Sequence, residues 1–494
     1  MSVAQPLAQA QPPSPAGVPL RPELGLASTL RLGLFQGCLG CLAVIFTGLL
    51  NRVMLSELGF PGILVGGALA FEQFVAPSRV WFGQLSDSHR VAGRHRVPLI
   101  WMGTLLFCSL AVLSIPLMFH MGRLLEQGGS GVIAWAVAAF CGLFALYGLA
   151  ISLATTPYLA LVIDRTTEEE RPRAVGIIWC MLTVGIVIGA IAITLSLRSL
   201  DGVSDPATLE PVLLAFMARV AVVVLVLTVV ATVGMEPDRR LSTLPTALQS
   251  AAESSGATPP RDDGITLAQA WSLITSSHQV LVFFAFLVFF TLGLFLQDPI
   301  LESYGADVFG MPIAATASLN AVWGIGTLVG LLLAGLWIVP WLGKLAAARL
   351  GCQLIVASLM LLLLCGLTAQ VPLLRVVMLV FGLAAGIGTN SALVLMLDLT
   401  LPQAAGTFVG VWGLAQALSR ALGKVLGGGL LDLGRYAQQL WGLGDGPWPA
   451  YALVLVVEIV VAALALVILS RLNLRQFRED TGHSLSKVLA LELG

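Results

Sequence analysis

The chain has 494 residues, of which 57% are hydrophobic and 11% are charged. Soluble globular proteins carry about 25% charged residues, so this composition argues against a soluble enzyme and against a disordered protein. The 26 Lys and Arg residues are balanced by 27 Asp and Glu residues, which leaves no basic excess for nucleic acid. Residues 1–29 hold six prolines by position 22 and predict a disordered cytoplasmic tail.

Twelve apolar runs follow, and each is long enough for a membrane-crossing helix, which takes about 20 residues. Only helices and closed barrels can span a membrane, and long apolar runs are not typical of barrel strands. We therefore predict an all-α membrane protein with twelve transmembrane helices. Pro157 is predicted to bend or break the fourth run, which is too long for one straight crossing. The runs are 30–50, 61–85, 97–118, 131–163, 174–197, 211–235, 279–298, 312–337, 345–368, 374–397, 405–431 and 448–470.

The longest polar stretch, residues 236–278, divides the runs into two groups of six. We interpret it as a cytoplasmic linker between an N-terminal bundle (30–235) and a C-terminal bundle (279–471), with a cytoplasmic tail at 472–494. Most Lys and Arg residues of the loops fall on one side of the predicted membrane. Because cytoplasmic loops carry the excess of these residues, both termini are predicted to be cytoplasmic.

The two halves also carry a short internal repeat. The end of run 4 reads LVIDRTTEEERPRAVG (161–176), and the end of run 10 reads LMLDLTLPQAAGTFVG (395–410). Asp164 and Asp398 align in this match. Two parallel six-helix repeats are the architecture of major facilitator transporters, so we predict two pseudo-repeats and that fold.

The segment between runs 2 and 3 resembles the major facilitator loop motif, a Gly-x-Leu-Ser start followed by glycine and basic residues. Glycine lets helices approach, and a carboxylate at a helix end can meet arginines across the gap. We predict a cytoplasmic latch that opens and closes in a transport cycle, the alternative being ordinary anchoring by positive charge. The latch would comprise Gly83, Asp87, Gly93, Arg94, Arg96, Asp164 and Arg171.

Charged side chains at membrane depth are costly and are usually functional or paired. Glu72 and Arg79 in run 2 are about 10 Å apart along a helix axis, too far for an easy ion pair. We predict either a central cavity site or structural ion pairs between helices. Arg420 and Lys424, one turn apart in run 11, need an anion nearby. An outer charge network is predicted from Arg219, Asp298, Glu302 and Asp432.

No Walker A sequence, nucleotide fingerprint or nucleophile elbow is present, so we expect neither an enzyme nor ATP-driven transport. Cys38 and Cys41 form a C-x-x-C sequence inside an apolar run, without a second pair to complete a zinc site. We interpret them as small packing residues and expect no metal site.

Four segments carry a narrower resemblance. They read RLGLFQ (31–36), LLNRVMLSELGFP (49–61), LAFEQFVAPSRVWFGQLSD (69–87) and FLQDPILESYGADVFGM (295–311). Together they resemble the PucC-like family, the bacteriochlorophyll-delivery branch of the major facilitator superfamily, over residues 30–470. The resemblance implies a photosynthetic membrane and an assembly factor for light-harvesting or photosystem complexes. It also implies contacts with lipid, chlorin pigment, pigment-synthesis enzymes and antenna subunits.

A chlorin cargo would need an axial ligand for its Mg²⁺. None of the five histidines lies well inside a predicted span, so an oxygen ligand is expected. This favours transient chlorophyll or bacteriochlorophyll over a permanent cofactor. A proton-coupled transporter of a small solute, with Glu72, Asp298 or Glu458 carrying the proton, and a scaffold without a transport cycle remain alternatives. The cavity or pigment-binding candidates are Glu72, Gln73, Arg79, Asn320, Asn390, Gln416, Arg420 and Lys424.

Overall fold

The structure is a computed structural model, and its described part is almost entirely helical. Nearly all of the predicted N-terminal tail, linker and C-terminal tail lies outside that part. The described residues are 25–88, 94, 96–127, 130–166, 171–198, 205–236, 278–398, 405–442 and 446–473.

The helices of the first half are numbered α1 to α7. Helix α1 contains two π-helical stretches, Ile45–Leu50 and Val53–Glu57. The bounds are α1 Leu26–Glu57, α2 Gly62–Phe74, α3 Ser78–Ser88, α4 Val97–Gln127, α5 Ser130–Arg165, α6 Arg171–Ser196 and α7 Pro206–Thr232.

The helices of the second half are numbered α8 to α14. Helix α10 contains one π-helical stretch, Ala334–Ile338. The bounds are α8 His278–Phe295, α9 Leu301–Asp307, α10 Ile313–Leu342, α11 Lys344–Thr368, α12 Val371–Asp398, α13 Ala405–Trp441 and α14 Trp448–Ser470.

Among the described residues, nine helices are long and apolar enough to cross a membrane. They are α1, α4, α5, α6, α7, α10, α11, α12 and α14. The all-α membrane fold is thereby confirmed, whereas the number of twelve crossings stays a prediction. Predicted spans 2 and 7 fall short because the helix stops near a proline in each, at Pro77 and Pro299. Predicted span 11 corresponds to α13, a long helix that carries Arg420 and Lys424 and is not among these nine.

The sequence predicts that Pro157 bends or breaks the fourth span. It does not break it, because α5 runs through this residue without interruption, and a bend stays a prediction. A proline inside a helix removes one backbone hydrogen bond, which surrounding packing can offset. The neighbouring Tyr158 is fully buried and its hydroxyl donates to the carbonyl of Leu32 in α1 at 2.8 Å. Packing of this kind holds the end of α5 in place.

The helix packing of the first half recurs in the second. Helix α1 packs on α6 and α7, as α8 packs on α13 and α14. Helix α4 packs on α5 and α7, as α11 packs on α12 and α14. The halves meet mainly through two helix pairs, α2 with α13 and α6 with α10, and the end of α1 also contacts α9 and α10. We call the end where α1 passes into α2 the outer end, and the end where α1 begins the inner end.

Glycines let α2 and α13 touch backbone to backbone. A Cβ atom on Gly66 would lie 2.0 Å from the carbonyl oxygen of Lys424, and one on Gly428 would lie 1.9 Å from that of Gly62. Neither distance is possible for a real side chain, so the approach depends on glycine. This contact holds the two halves together on the outer side.

Candidate functional site

The second span is interrupted at the level where its polar residues lie. Helix α2 ends at Phe74 and α3 begins at Ser78. Pro77 lacks a backbone N–H and disfavours a helical conformation in the residue before it. Turn hydrogen bonds join the two helices, including one from the Ala76 N–H to the Gln73 carbonyl at 3.0 Å. The break places Glu72 and Gln73 at the end of one helix and Arg79 at the start of the next.

The seventh predicted span, which lies in the second half, is interrupted as well. Helix α8 ends at Phe295, and turns run through Gln297 and Asp298 before α9 begins. The backbone N–H of Gln297 donates to Oε1 of Glu458 in α14 at 3.3 Å. Glu458 is 0% exposed, and its Oε2 has no hydrogen-bond partner among the described residues. A fully buried carboxyl group therefore supports the broken end of α8.

Charges from both interruptions converge on α13. The guanidinium carbon of Arg420 lies 4.5 Å from the ring centroid of Phe295, and Arg420 interacts electrostatically with Asp298 and Glu72. Lys424 interacts with Asp298 in the same way, and Arg79 interacts with Glu72. The central charge cluster is defined as Glu72, Arg79, Asp298, Arg420 and Lys424.

Most of this cluster is accessible. Arg79 and Arg420 are exposed, Glu72 and Asp298 are half-buried, and Lys424 is buried. The side chains of a structural ion pair in a helix interface would be buried on all sides. The exposure of Arg79 and Arg420 instead favours a polar site that a ligand can reach. Cation and anion side chains here come from both halves, which places the cluster between them.

Two exposed phenylalanines on α2 flank Glu72 and Gln73 in the sequence. Phe71 and Phe74 are both exposed, and their ring centroids lie 6.0 Å apart in an edge-to-face arrangement. Gln73 and Gln416 are half-buried, and Gln416 lies one helical turn before Arg420. The site therefore combines the Phe295 ring, which lies against Arg420, with carboxylate and amide oxygens.

The structure engages the two predicted asparagines elsewhere. The side-chain amide of Asn320 donates to Oε1 of Glu302. The side-chain amide of Asn390 donates to the carbonyl of Leu331 at 2.8 Å, just before the π-helical stretch of α10. Both residues satisfy groups of the protein itself.

Polar residues join the halves at the outer end, and we call these contacts the outer seal. Asp432 of α13 accepts hydrogen bonds of 2.7 Å from the backbone N–H groups of Gly62 and Ile63, at the start of α2. The side-chain amide of Asn51 donates to the carbonyl of Pro299. These contacts satisfy unpaired N–H groups at a helix N-terminus and a carbonyl freed by the break in span 7.

Buried charges reinforce the outer seal. Arg52 is 5% exposed and donates to Oγ1 of Thr316 at 2.8 Å, across the interface between the halves. Glu57 lies 3.5 Å from the same guanidinium. In the second half, Asp307 accepts a hydrogen bond of 2.5 Å from the Tyr451 hydroxyl. Nη2 of Arg435 lies 3.7 Å from Oδ2 of Asp307, so Asp307, Tyr451 and Arg435 form one polar group within the second half.

The four residues predicted as one outer charge network are divided among four places. Asp432 belongs to the outer seal, Glu302 accepts a hydrogen bond from Asn320 within the second half, and Asp298 belongs to the central charge cluster. Arg219 of α7 is exposed and lines a groove formed with α1 and α6. Arg52 is not among the predicted network residues, because the predicted first run ends at residue 50 whereas α1 extends through Arg52 to Glu57.

Part of the predicted latch comes together at the inner end. The Arg96 guanidinium lies 3.3 Å from Oδ2 of Asp164 and also donates to Oγ of Ser86. Glu236 accepts backbone hydrogen bonds from Arg96 at 3.1 Å and from Val97 at 3.0 Å. These contacts tie the ends of α3, α4, α5 and α7 to one another.

The remaining latch residues are described less fully. Gly83 faces α5, where an added Cβ would contact the Thr156 methyl group at 3.6 Å, and Arg94 is half-buried. Gly93 and the side chains of Asp87 and Arg171 lie outside the described residues. The latch as a whole stays a prediction.

Solved structures with the same fold are transporters. A bacterial homologue of the human lysosomal transporter Spinster, in an inward-facing and unoccupied conformation, matches with a TM-score of 0.61 and 18% identity, over 92% of this chain and 97% of its own. A D-xylose–proton symporter matches with a TM-score of 0.62 and 15% identity, over 88% of this chain and 97% of its own. At such low identity the likeness shows the fold alone, and it confirms the predicted major facilitator fold.

Three bacterial relatives match at higher identity. A Rhodobacter capsulatus protein described as uncharacterized, in the puhA-bchM intergenic region, is 32% identical over 91% of this chain and 90% of its own length. Protein PucC of Rhodovulum sulfidophilum is 28% identical over 83% of this chain and 86% of its own length. A Rhodobacter capsulatus protein named bacteriochlorophyll synthase 44.5 kDa chain is 30% identical over 83% and 89%.

The family comparison covers most of the membrane region. The sequence model of the family described as PUCC protein matches residues 49–477, which include both interruptions, the central charge cluster and the outer seal. The family resemblance noted from the sequence is thus confirmed. The chain belongs to the PUCC protein family and has a transporter-type membrane fold.

Proposed function

We propose that this chain delivers chlorophyll or bacteriochlorophyll, or a precursor, during assembly of light-harvesting or photosystem complexes. It would act in a photosynthetic membrane, with both termini in the cytoplasm. Pigment-synthesis enzymes would supply the chlorin, and antenna or photosystem subunits would receive it. The observation that carries the proposal is the accessible central charge cluster, in which Arg420 lies against the Phe295 ring, in a member of the PUCC family.

The chemistry of the cluster suits a chlorin. The ring is flat and apolar, which matches Phe71 and Phe74, and its carbonyl groups can accept hydrogen bonds from Arg79 or Arg420. Mg²⁺ prefers oxygen ligands, which Glu72, Gln73 and Gln416 could supply. Asn320 and Asn390 suit the role less well, since their amide groups already donate within the protein.

A purified-protein spectrum tests this proposal. The chain is expressed in a pigment-making host and purified in mild detergent, and bound chlorin is measured by absorption and by extraction. We expect near-stoichiometric pigment, lost in the triple variant Glu72→Leu, Gln73→Leu, Arg79→Leu. Pigment-free protein from a host rich in pigment would overturn the proposal.

A matched control uses the same three residue types at the outer end of α4. Arg123, Glu126 and Gln127 are exposed there, outside the central charge cluster. The triple variant Arg123→Leu, Glu126→Leu, Gln127→Leu makes the same chemical change and should keep its pigment. Equal loss in both variants would show that pigment retention depends on general folding rather than on the cluster.

A proton-coupled transporter of a small solute is the second candidate. The buried carboxyl group of Glu458, with one oxygen unpaired among the described residues, favours it as a proton-binding site beside Asp298. Proton-dependent uptake into vesicles that is abolished by Glu458→Gln, in protein that binds no pigment, would support this function over pigment delivery.

A further inference from the structure

A cavity lies away from the central charge cluster, between α1, α6 and α7. Its volume is about 290 Å³, and the residues around it are apolar or small except for Arg219 and Ser196. The lining residues are Leu34, Gly37, Cys38, Cys41, Met181, Val184, Gly185, Ile188, Ala192, Ser196, Phe216, Arg219, Val220, Val223, Val224 and Leu227.

The cavity is a groove that opens on the outside of the bundle. Val184, Ile188 and Val223 line it and are exposed, whereas Cys38 beneath them is buried. At the floor, α1 and α6 touch backbone to backbone, since a Cβ atom on Gly185 would lie 1.9 Å from the carbonyl oxygen of Gly37. No side chain fills the floor here, so the groove stays deep.

Arg219 supplies the polar end of the groove. Its Nε donates to the carbonyl of Ala215 at 3.1 Å, one turn closer to the outer end of α7. Within the described part of the chain, this guanidinium forms no ion pair. A lone cation on a lipid-facing helix is costly, and extending toward the interface lowers that cost. An anion at the same depth would neutralise the charge.

The length of the groove indicates what kind of anion fits. Its lining on α7 runs from Phe216 to Leu227, which is about 16 Å of helix. One leaflet of the hydrocarbon core is about 15 Å thick. On α6 the lining reaches Ser196, the last residue of that helix at the outer end, so a hydrocarbon chain that enters there could lie along the groove past Arg219.

We propose that this groove binds one acyl chain of an anionic phospholipid whose phosphate pairs with Arg219. The inference goes beyond the pigment proposal, because the groove shares no residue with the central charge cluster. A lipid held there would cover the seam between α6 and α7 and stabilise the first half.

Lipid retention tests this inference. The full chain is purified in mild detergent from bacterial membranes that contain phosphatidylglycerol and phosphatidylethanolamine, and retained lipid is measured by mass spectrometry. We expect about one phosphatidylglycerol per wild-type chain. Arg219→Gln should retain several-fold less, and Arg219→Lys should retain an intermediate amount.

Groove shape is tested separately with two neighbouring valines. Val223 lines the groove and is 54% exposed, whereas Val222 is 60% exposed and does not line it. Val223→Trp should displace the lipid, and Val222→Trp should not. Equal phosphatidylglycerol retention in wild type, Arg219→Gln and Val223→Trp would overturn the inference. So would retained chlorin that is lost with Val223→Trp, because a pigment tail would then be the occupant.

Discussion

Among single residues, Asp432 joins the two halves most directly. Its carboxylate accepts hydrogen bonds from the N–H groups of Gly62 and Ile63 and lies at the positive end of the α2 dipole. We expect Asp432→Ala to destabilise the protein by about 1–2 kcal/mol, which is typical of a lost N-terminal cap. The measurement is thermal unfolding in detergent, where the variant should show a lower Tm.

A control separates loss of a cap from loss of the outer seal. Asp205 caps its own helix, α7, by accepting a hydrogen bond of 3.4 Å from the backbone N–H of Ala207 within the first half. A cysteine placed at Ser303, which is fully buried in α9, serves as a probe for a water-soluble maleimide in a cysteine-free background. Labelling should rise with Asp432→Ala and stay unchanged with Asp205→Ala. Unchanged labelling in both would show that Asp432 does not hold the seal closed.

Individual charges could be found from the sequence, but their partners could not. Glu72, Arg79 and Arg420 stand out because each interrupts a long apolar run. Arg219 has the same signal, yet it lies in the α6–α7 groove rather than with Asp298. Which helix faces which is decided by tertiary packing, and a single sequence does not contain that information directly.

Helix α2 shows how one element depends on side-chain size. An Ala Cβ at position 66 would lie 2.0 Å from the Lys424 carbonyl, whereas nothing lies within 4 Å of one at position 67. We expect Gly66→Ala to push α2 away from α13, lower the Tm and raise labelling of the buried cysteine at position 303. Gly67→Ala makes the same change one residue away and should be neutral or slightly stabilising, because Ala favours a helix. Equal effects of the two variants would contradict the close contact.

Hydropathy located the helices well, because twenty apolar residues in lipid leave the backbone few alternatives. It did not predict which prolines would interrupt them. Pro157 lies inside α5, beside the fully buried Tyr158, and packing keeps that helix continuous. Pro77 is exposed between α2 and α3, where little packing opposes the break. The outcome depends on the surroundings of each proline, which the local sequence does not show.

For the whole molecule, the helix packing of α1–α7 recurs in α8–α14, as the short repeat in the sequence led us to expect. The relative placement of the halves could not be anticipated. It depends on contacts such as Asp432 with the start of α2 and Arg52 with Thr316, between residues far apart in the chain.

This closed outer end allows a carrier to be distinguished from a scaffold. Ile63 of α2 and Gly429 of α13 lie close together, since a Cβ on Gly429 would be 3.0 Å from the Ile63 Cδ1 atom. Ile63→Cys with Gly429→Cys, joined by a short cleavable cross-linker in a cysteine-free background, would hold the outer end shut. A carrier must open this end to release cargo on that side, so we expect the cross-link to stop assembly of antenna complexes and cleavage to restore it.

The control is a cross-link that leaves the halves free to move. Arg123 of α4 and Glu210 of α7 form an ion pair within the first half, with 3.1 Å between Nη1 and Oε2. Arg123→Cys with Glu210→Cys can therefore be joined by the same reagent. This variant should assemble antenna complexes at the wild-type rate, measured by the absorption of newly formed complexes. If the Ile63–Gly429 cross-link also leaves assembly unchanged, opening of the outer end is not required. The chain would then act by binding its partners laterally, as a scaffold, and the central charge cluster would hold the structure together rather than a cargo.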